Sequence, residues 1–195
     1  MKMGYRRWIA LLREGHVLYR TADVMKLTEL DYDSARRALL RLCDDGLLIK
    51  VGKELYGNGL CPPSLGQVAV ALRRPSYVSM DSILDSGSSS GASRLSAVTL
   101  CRPGDHETPL GTIRYHKIAR RLYWGFEMVP PGLAGAVREK ALLDLLYMSA
   151  EDGPGWVVDH GLSLDGMDRG RLAEWASLYP MAVQVRLRRL VRSMG

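Results

Sequence analysis

Cysteine and histidine are scarce in this chain. Cys43, Cys61 and Cys101 stand far apart in 195 residues, an odd number with no zinc-site spacing. That pattern fits reduced thiols rather than a disulfide framework. The histidines, His16, His106, His116 and His160, are equally scattered, so no metal site is expected. Long apolar runs are missing too: none nears the roughly 20 residues that span a bilayer. The segment Met1 to Trp8 carries no signal-peptide apolar block or cleavage site. A cytoplasmic protein with no membrane partner is the expectation. A phosphate-binding glycine loop is absent as well, and no cofactor is expected.

What remains is an ordinary globular composition, 47% apolar and 25% charged, with enough residues for one large core or two small ones. Lys and Arg number 27 against 21 Asp and Glu, a formal net charge of +6. A basic balance favours a polyanionic partner. The excess is spread evenly: residues 1–60 hold 11 Lys/Arg and 8 Asp/Glu, so charge alone does not locate a binding surface.

Periodicity does. Tyr5, Trp8, Ile9 and Leu12 fall at i, i+3, i+4 and i+7, one apolar face of a first helix that stops at Glu14-Gly15. Thr21 is placed to cap a second helix, with Val24, Met25 and Leu27 turned inward. After the turn at Thr28-Glu29-Leu30, Asp31 or Asp33 caps a third helix. Ala35, Leu39, Leu42 and Cys43 share one face of that helix; Asp33, Ser34, Arg37, Arg41 and Asp44 share the other. Gly46 suits its left-handed close. Leu47–Val51 and Leu55-Tyr56 then read as two strands joined at Gly52-Lys53.

Helix, turn, helix and hairpin in that order spell a winged helix-turn-helix, a module that lays its last helix in the DNA major groove. An apolar stripe backed by arginines at i and i+4 is what that helix needs, because Arg bonds two atoms of a guanine edge or neutralises a phosphate. The DNA-contacting set is therefore Thr28 at the turn, Ser34, Arg37 and Arg41 on the helix, and Lys50 and Lys53 on the wing. A solvated helix face and a solvated turn lysine are the plainer alternatives.

The first domain covers residues 1–61 and the second 62–195, with Asn58 to Ser64 as connector. In the second, Leu65–Leu72 reads as a helix, Tyr77–Ser79 as a strand leading into Met80–Leu84, and Asp85–Ser93 as a flexible Ser/Gly loop. Ala97–Cys101, Thr112–Ile118 and Trp124–Met128 read as strands, with Ile113, Tyr115 and Lys117 on one side of the second. Glu139–Tyr147 is apolar nearly all round and should be a buried central helix, with Asp144 four residues after Lys140 and able to pair with it. Arg171–Leu178 is another helix, stopped by Pro180. In the last, Met181–Ser193, Val183, Leu187, Leu190 and Val191 lie together, and Arg186, Arg188, Arg189 and Arg192 form a basic side, solvated or a second polyanion contact. The fold class expected is α+β: an N-terminal winged helix, then a mixed α/β domain with a small antiparallel sheet and C-terminal helices.

Three runs, Glu107 to Ile118, Tyr123 to Phe126 and Arg138 to Tyr147, resemble the AbiEi family, the antitoxins and transcriptional autoregulators of type IV toxin–antitoxin systems. The resemblance extends from about Arg20 to Tyr147, and the winged helix falls where that family carries its own. Its motif positions here are Pro109, Gly111, Tyr115, Gly125, Glu139, Lys140 and Asp144. The chain departs from the family pattern at Gly52-Lys53-Glu54, where an Arg-Gly pair is frequent, and at Val137-Arg138, where a proline is frequent. The resemblance implies a repressor of its own operon that binds double-stranded DNA at inverted repeats, with self-association on the DNA. It also implies a functional link, without a required stable complex, to a nucleotidyltransferase-like toxin.

Two other classes are open: a winged-helix transcription factor with an effector-binding second domain and no toxin partner, and a DNA-targeted nuclease or hydrolase. The last has little to rest on. Gly87-Ser-Ser89-Ser-Gly91 matches a nucleophile elbow in letters but lies in a Ser/Gly stretch, not between strand and helix. Asp105-His106 and Asp159-His160 lack a nucleophile. Glu139-Lys140 are adjacent on a helix, whereas a metal nuclease needs such a pair two apart on one strand face. No enzyme is expected.

Overall fold

The computed structural model describes residues 5–14, 16–84, 94–129, 132–149 and 166–193. The Gly87–Gly91 run and the Asp159-His160 pair lie outside those residues. The chain begins with helix α1 (Tyr5–Arg13), strand β1 (Leu18–Arg20), helices α2 (Thr21–Thr28) and α3 (Tyr32–Asp44), and the hairpin β2 (Leu48–Gly52) and β3 (Leu55–Asn58). The three strands form an antiparallel sheet in the order β1-β3-β2. Trp8, Leu12, Tyr19, Val24, Ala35, Leu39, Leu42, Leu48 and Tyr56 pack into one core beneath it.

Local chemistry sets the ends of these elements. Asp31 caps α3, its Oδ1 accepting from Ser34 N–H at 2.9 Å. At the other end Gly46 (φ +71°) takes the left-handed turn. Its N–H donates to the Cys43 carbonyl, and Leu47 N–H donates to that of Leu42, the two bonds of a Schellman close. Thr21 is not the cap of α2. Arg20 holds that position, its N–H donating to the Asp23 carboxylate, and Thr21 is the buried first helical residue. Leu27 points outward, 48% exposed, because Val24 with half-buried Met25 already fills the inner face of so short a helix. Asn58 is not part of a connector. It is fully buried at the end of β3, and its Nδ2 donates to the carbonyls of Leu12 and His16, tying α1 to the sheet.

After α4 (Leu65–Leu72) come β4 (Ser76–Val78), α5 (Asp81–Leu84), β5 (Arg94–Thr99), β6 (Gly104–Thr108) and β7 (Gly111–Lys117). A 3-10 turn at Arg120–Leu122 leads to β8 (Phe126–Val129), β9 (Leu133–Ala136) and α6 (Arg138–Met148). The last helices are α7 (Arg169–Ala176) and α8 (Met181–Ser193). Six strands form one sheet in the order β6-β7-β5-β4-β9-β8. The expected small antiparallel sheet is thus larger and mixed: β5 with β7 and β4 with β9 run parallel. The reason is topological, since β6 crosses to the edge and β7 returns between it and β5, a path that local alternation does not encode.

Alternation along each strand splits the two faces. On one face Ala97, Ile113 and Tyr115 meet Val68, Ala69 and Ala71 of α4; on the other Tyr77 and Val98 meet α6 and, through it, α7 and α8. Glu139 through Leu146 are all buried, so α6 is the central helix its composition foretells. The chain is a mixed α/β protein, and among the described residues no helix is long and apolar enough to cross a membrane.

The hairpin does not stand apart from the second half. Val51 and Leu55 share a core with Val68, Ala69 and Ala71 of α4, and the Arg20 guanidinium donates to the Ala71 carbonyl. A Cβ on Gly52 would clash with the Leu72 side chain. The segments on either side of residue 61 therefore pack together.

Candidate functional site

Two charged helices offer themselves as sites. The first is α3. At about 100° per residue, Arg37 and Asp44 lie opposite its buried stripe of Ala35, Leu39 and Leu42. Ser34 and Arg41 lean toward α1, where they line a groove of about 760 Å³ with Tyr5, Trp8 and Leu30. Ser34, Arg37 and Arg41 are thus brought together, and Arg37 Nη2 donates to Ser34 Oγ at 3.3 Å. Glu29, Asp31 and Asp45 stand on the same groove, an acidic rim that sequence reading overlooked. Asp31 is held below the usual carboxylate range by the Ser34 N–H that it caps.

The hairpin lies on the other flank of α3. Its turn is short, with Glu54 in the left-handed region (φ +57°), and Tyr32 OH donates to Glu54 Oε1 at 2.6 Å. That bond fastens the hairpin tip to the start of α3 and holds the Tyr32 phenol above its usual range. Lys50 and Lys53 are both exposed here. Arg36, missed in the sequence, sits between α3 and the hairpin, close enough for its charge to act on Tyr32 and Tyr56. Its signal was the i, i+4 step from Tyr32. Thr28, at the end of α2, is half-buried. Its Oγ1 donates back to the Val24 carbonyl at 2.6 Å, a local bond that competes with any outside partner.

The second charged helix is α6. Lys140 and Asp144 are fully buried and paired one turn apart. Lys140 Nζ also donates to Tyr77 OH and Tyr179 OH, each at 2.9 Å. Those phenols donate in turn to Asp144 at 2.9 Å, and Ser79 Oγ donates to it at 2.8 Å. All three ammonium protons and both carboxylate oxygens are used. Burial and the neighbouring Asp144 charge push the phenols of Tyr77 and Tyr179 far upward. Burial lowers Lys140, against the opposing pull of Asp144.

The remaining motif positions serve this framework. Gly125 (φ +72°) lies on the Lys140 stem, where a Cβ would sit 3.0 Å from Cγ. Glu139 turns away from Lys140: its Oε1 accepts from Asp168 N–H at 2.8 Å and fastens α6 to the start of α7. Tyr115 OH donates to the Ala69 carbonyl at 2.7 Å, beneath Arg73 at 4.2 Å from its ring. Pro109 and Gly111 (φ +136°) form the β6–β7 turn, closed by Thr108 Oγ1 on the Gly111 carbonyl. So Gly125, Lys140 and Asp144 come together, while Pro109, Gly111 and Tyr115 build the far side of the sheet.

Asp105 does not join His106 in a dyad; it forms a 3.1 Å ion pair with Arg114 across β6 and β7. On α8, Arg186 does not belong to a solvated face, because its guanidinium donates to the Leu146 carbonyl at 2.8 Å. Val191, expected inside, is 39% exposed.

No protein-family model matches the chain, and no curated protein sequence matches it. Among solved structures it is similar to the crystal structure of the RV2827C protein from Mycobacterium tuberculosis. The two share 19% sequence identity with a TM-score of 0.61, over 97% of this chain and 76% of that one. At that identity the likeness is one of fold alone.

Proposed function

We propose that residues 1–61 are a winged helix-turn-helix and that the chain is a DNA-binding autorepressor of AbiEi antitoxin type. The observation that carries the DNA reading is the outward face of α3. Arg37 stands opposite the buried stripe with Ser34 and Arg41 beside it, and the β2–β3 hairpin is anchored at the same helix through Tyr32 and Glu54. In this reading α3 enters the major groove, Arg37 and Arg41 address base edges or phosphates, and Lys50 and Lys53 follow the backbone. Two protomers meet on an inverted repeat. The intervening Asp33 and Asp44 on the same face make phosphate attraction modest, so specificity rests on few contacts.

Residues 62–195 form the antitoxin part in this reading, with a nucleotidyltransferase-like toxin as its functional counterpart. The resemblance of Glu107–Ile118 and Arg138–Tyr147 to the family supports it, and their residues form the end of β6, strand β7 and the central helix of the second half. The test is a gel shift on the gene's own upstream region, with and without the product of the adjacent gene. A sequence-specific shift, lost in Arg37→Ala, is the expected result. Equal binding to unrelated DNA of the same length would remove the repressor reading. Failure of co-expression to relieve growth arrest by the adjacent product would remove the antitoxin reading.

A further inference from the structure

One end of the six-stranded sheet gathers basic residues that are scattered in the sequence. Arg73 and Arg74 leave α4 and lead into β4 at Ser76; Arg102 follows β5; Lys117 ends β7, and Arg120 and Arg121 open the 3-10 turn after it. Strand register places them at the same end. Ser76 and Lys117 stand opposite Thr99 from its two sides, and Ile118 N–H donates to the Thr99 carbonyl at 3.0 Å. From β4 to β7 is two strand spacings, about 10 Å. The Arg73 guanidinium donates to the Arg102 carbonyl and ties the two loops together.

Few carboxylates accompany them. Neither Leu55–Met80 nor Pro109–Phe126 contains an Asp or Glu. Arg74, Arg102, Lys117, Arg120 and Arg121 are exposed, and among the described residues none of the five is in an ion pair. Asp105, close to Arg102 in sequence, is already engaged by Arg114. Cations crowded in this way repel one another, and an outside polyanion relieves that repulsion.

Continuity with the β2–β3 hairpin decides which polyanion. Helix α4 ends at Leu72, the side chain that meets Gly52 where the hairpin turns. His106 Nε2 stands 3.4 Å from the Val51 carbonyl, on the same hairpin. The basic end of the sheet thus begins one residue past the hairpin's resting place, and Lys53 follows Gly52 on the other side of that contact. A duplex lying on α3 and the hairpin meets these cations next, and a spread of about 10 Å matches successive phosphates rather than one small anion. We propose that this sheet end is a second DNA-backbone surface, which takes the flanking duplex as it leaves the hairpin and holds it through Arg74, Arg102, Lys117, Arg120 and Arg121. It rests on the DNA reading of α3 and extends the contact into the second half of the chain. Phosphate contacts carry no sequence information, so this surface adds affinity and register without specificity.

Salt titrations of the full chain by fluorescence anisotropy test it, with the gene's own upstream duplex and an unrelated duplex of about 30 base pairs, roughly 100 Å long. Lys117→Gln with Arg120→Gln and Arg121→Gln should flatten the slope of log affinity against log salt by about 2 to 3 on both duplexes, at about 0.9 per phosphate contact. Arg74→Gln with Arg102→Gln, on the other loops, should flatten it by about 1 to 2. All these side chains are exposed, so the melting temperature should hold. Removing equal charge from exposed positions on α8, Arg188→Gln with Arg189→Gln and Arg192→Gln, should leave the slope as in the parent. An unchanged slope in the first two variants, or equal flattening by the α8 variant, would overturn the surface while parent binding stands. A parent that binds both duplexes equally removes the repressor reading and leaves this surface in place. A parent that binds neither removes both.

Discussion

Helices α3 and α6 use similar letters to opposite ends. Each carries charged side chains one turn apart: Arg37 and Arg41 on α3, Lys140 and Asp144 on α6. On α3 burial is confined to one stripe, and the arginines stay in water. On α6 every residue from Glu139 to Leu146 is buried, and the lysine must find all its partners inside. The difference teaches that a charged i, i+4 pair has no fixed meaning. Neighbouring elements decide whether it is a surface for others or part of the interior.

The sharpest way to break this contrast is Lys140→Ala. Left without its cation, the buried Asp144 should cost about 3–5 kcal/mol of stability by urea denaturation. Replacing both partners, Lys140→Met with Asp144→Leu, should restore only part of that loss: the stranded charge is gone, but the buried hydroxyls of Tyr77, Ser79 and Tyr179 lose the carboxylate that accepts from them. A small loss in the single variant would mean that water reaches the pair.

Tyr179→Phe comes next. It removes a hydroxyl that serves Lys140 and Asp144 together, and the loss should be about 1–3 kcal/mol. It should also change the alkaline limb of stability. The phenols of Tyr77 and Tyr179 are raised in the folded protein, so the unfolded chain releases its protons first, near pH 10. Their contribution is complete below that pH and is lost as pH rises beyond it. Lys140, lowered by burial, acts with the opposite sign over its own range. Thermal melts between pH 8 and about 11 should therefore fall less steeply in Tyr179→Phe than in the parent chain.

On α3 the expected sign reverses: function changes and stability does not. Arg37→Ala should weaken operator binding by about 1–3 kcal/mol if it reads a base edge. If it meets a phosphate, affinity should drop evenly across sequences and the salt slope should flatten. In both cases the melt should shift by no more than about 0.5 kcal/mol. The smallest effect belongs to Leu27→Glu, an exposed apolar position on α2 that should stay within about 0.5 kcal/mol of the parent. A large loss there would place Leu27 back in the core.

Much of the first half was legible because its signals are local. The stripe Ala35, Leu39 and Leu42, the Asp31 cap and the glycine at Gly46 each act within a few residues, and the helix they define is present. The outward position of Leu27 was not legible. Its spacing fits an inner face, and only the filled core beside Val24 turns it out. Arg36 was passed over because the hairpin that makes its flank important lies far away in sequence. In the second half the central helix was readable from its apolar run, but strand order was not. The parallel pairing of β5 with β7 and of β4 with β9 joins segments whose separation leaves no periodic trace.

By itself, then, the sequence determined the elements whose causes are short-range: helices with an apolar stripe, caps, turns and a central segment too apolar to be exposed. It also placed Lys140 one turn from Asp144. Only the tertiary structure decided that this pair is closed off by Tyr77, Ser79 and Tyr179 and that the hairpin shares a core with α4. It also decided that basic residues before β4, after β5 and at the end of β7 share one end of the sheet. The physical reason is the same in each case. Burial and long-range pairing depend on which surfaces meet, and that is set by the packing of the whole chain rather than by any stretch of it.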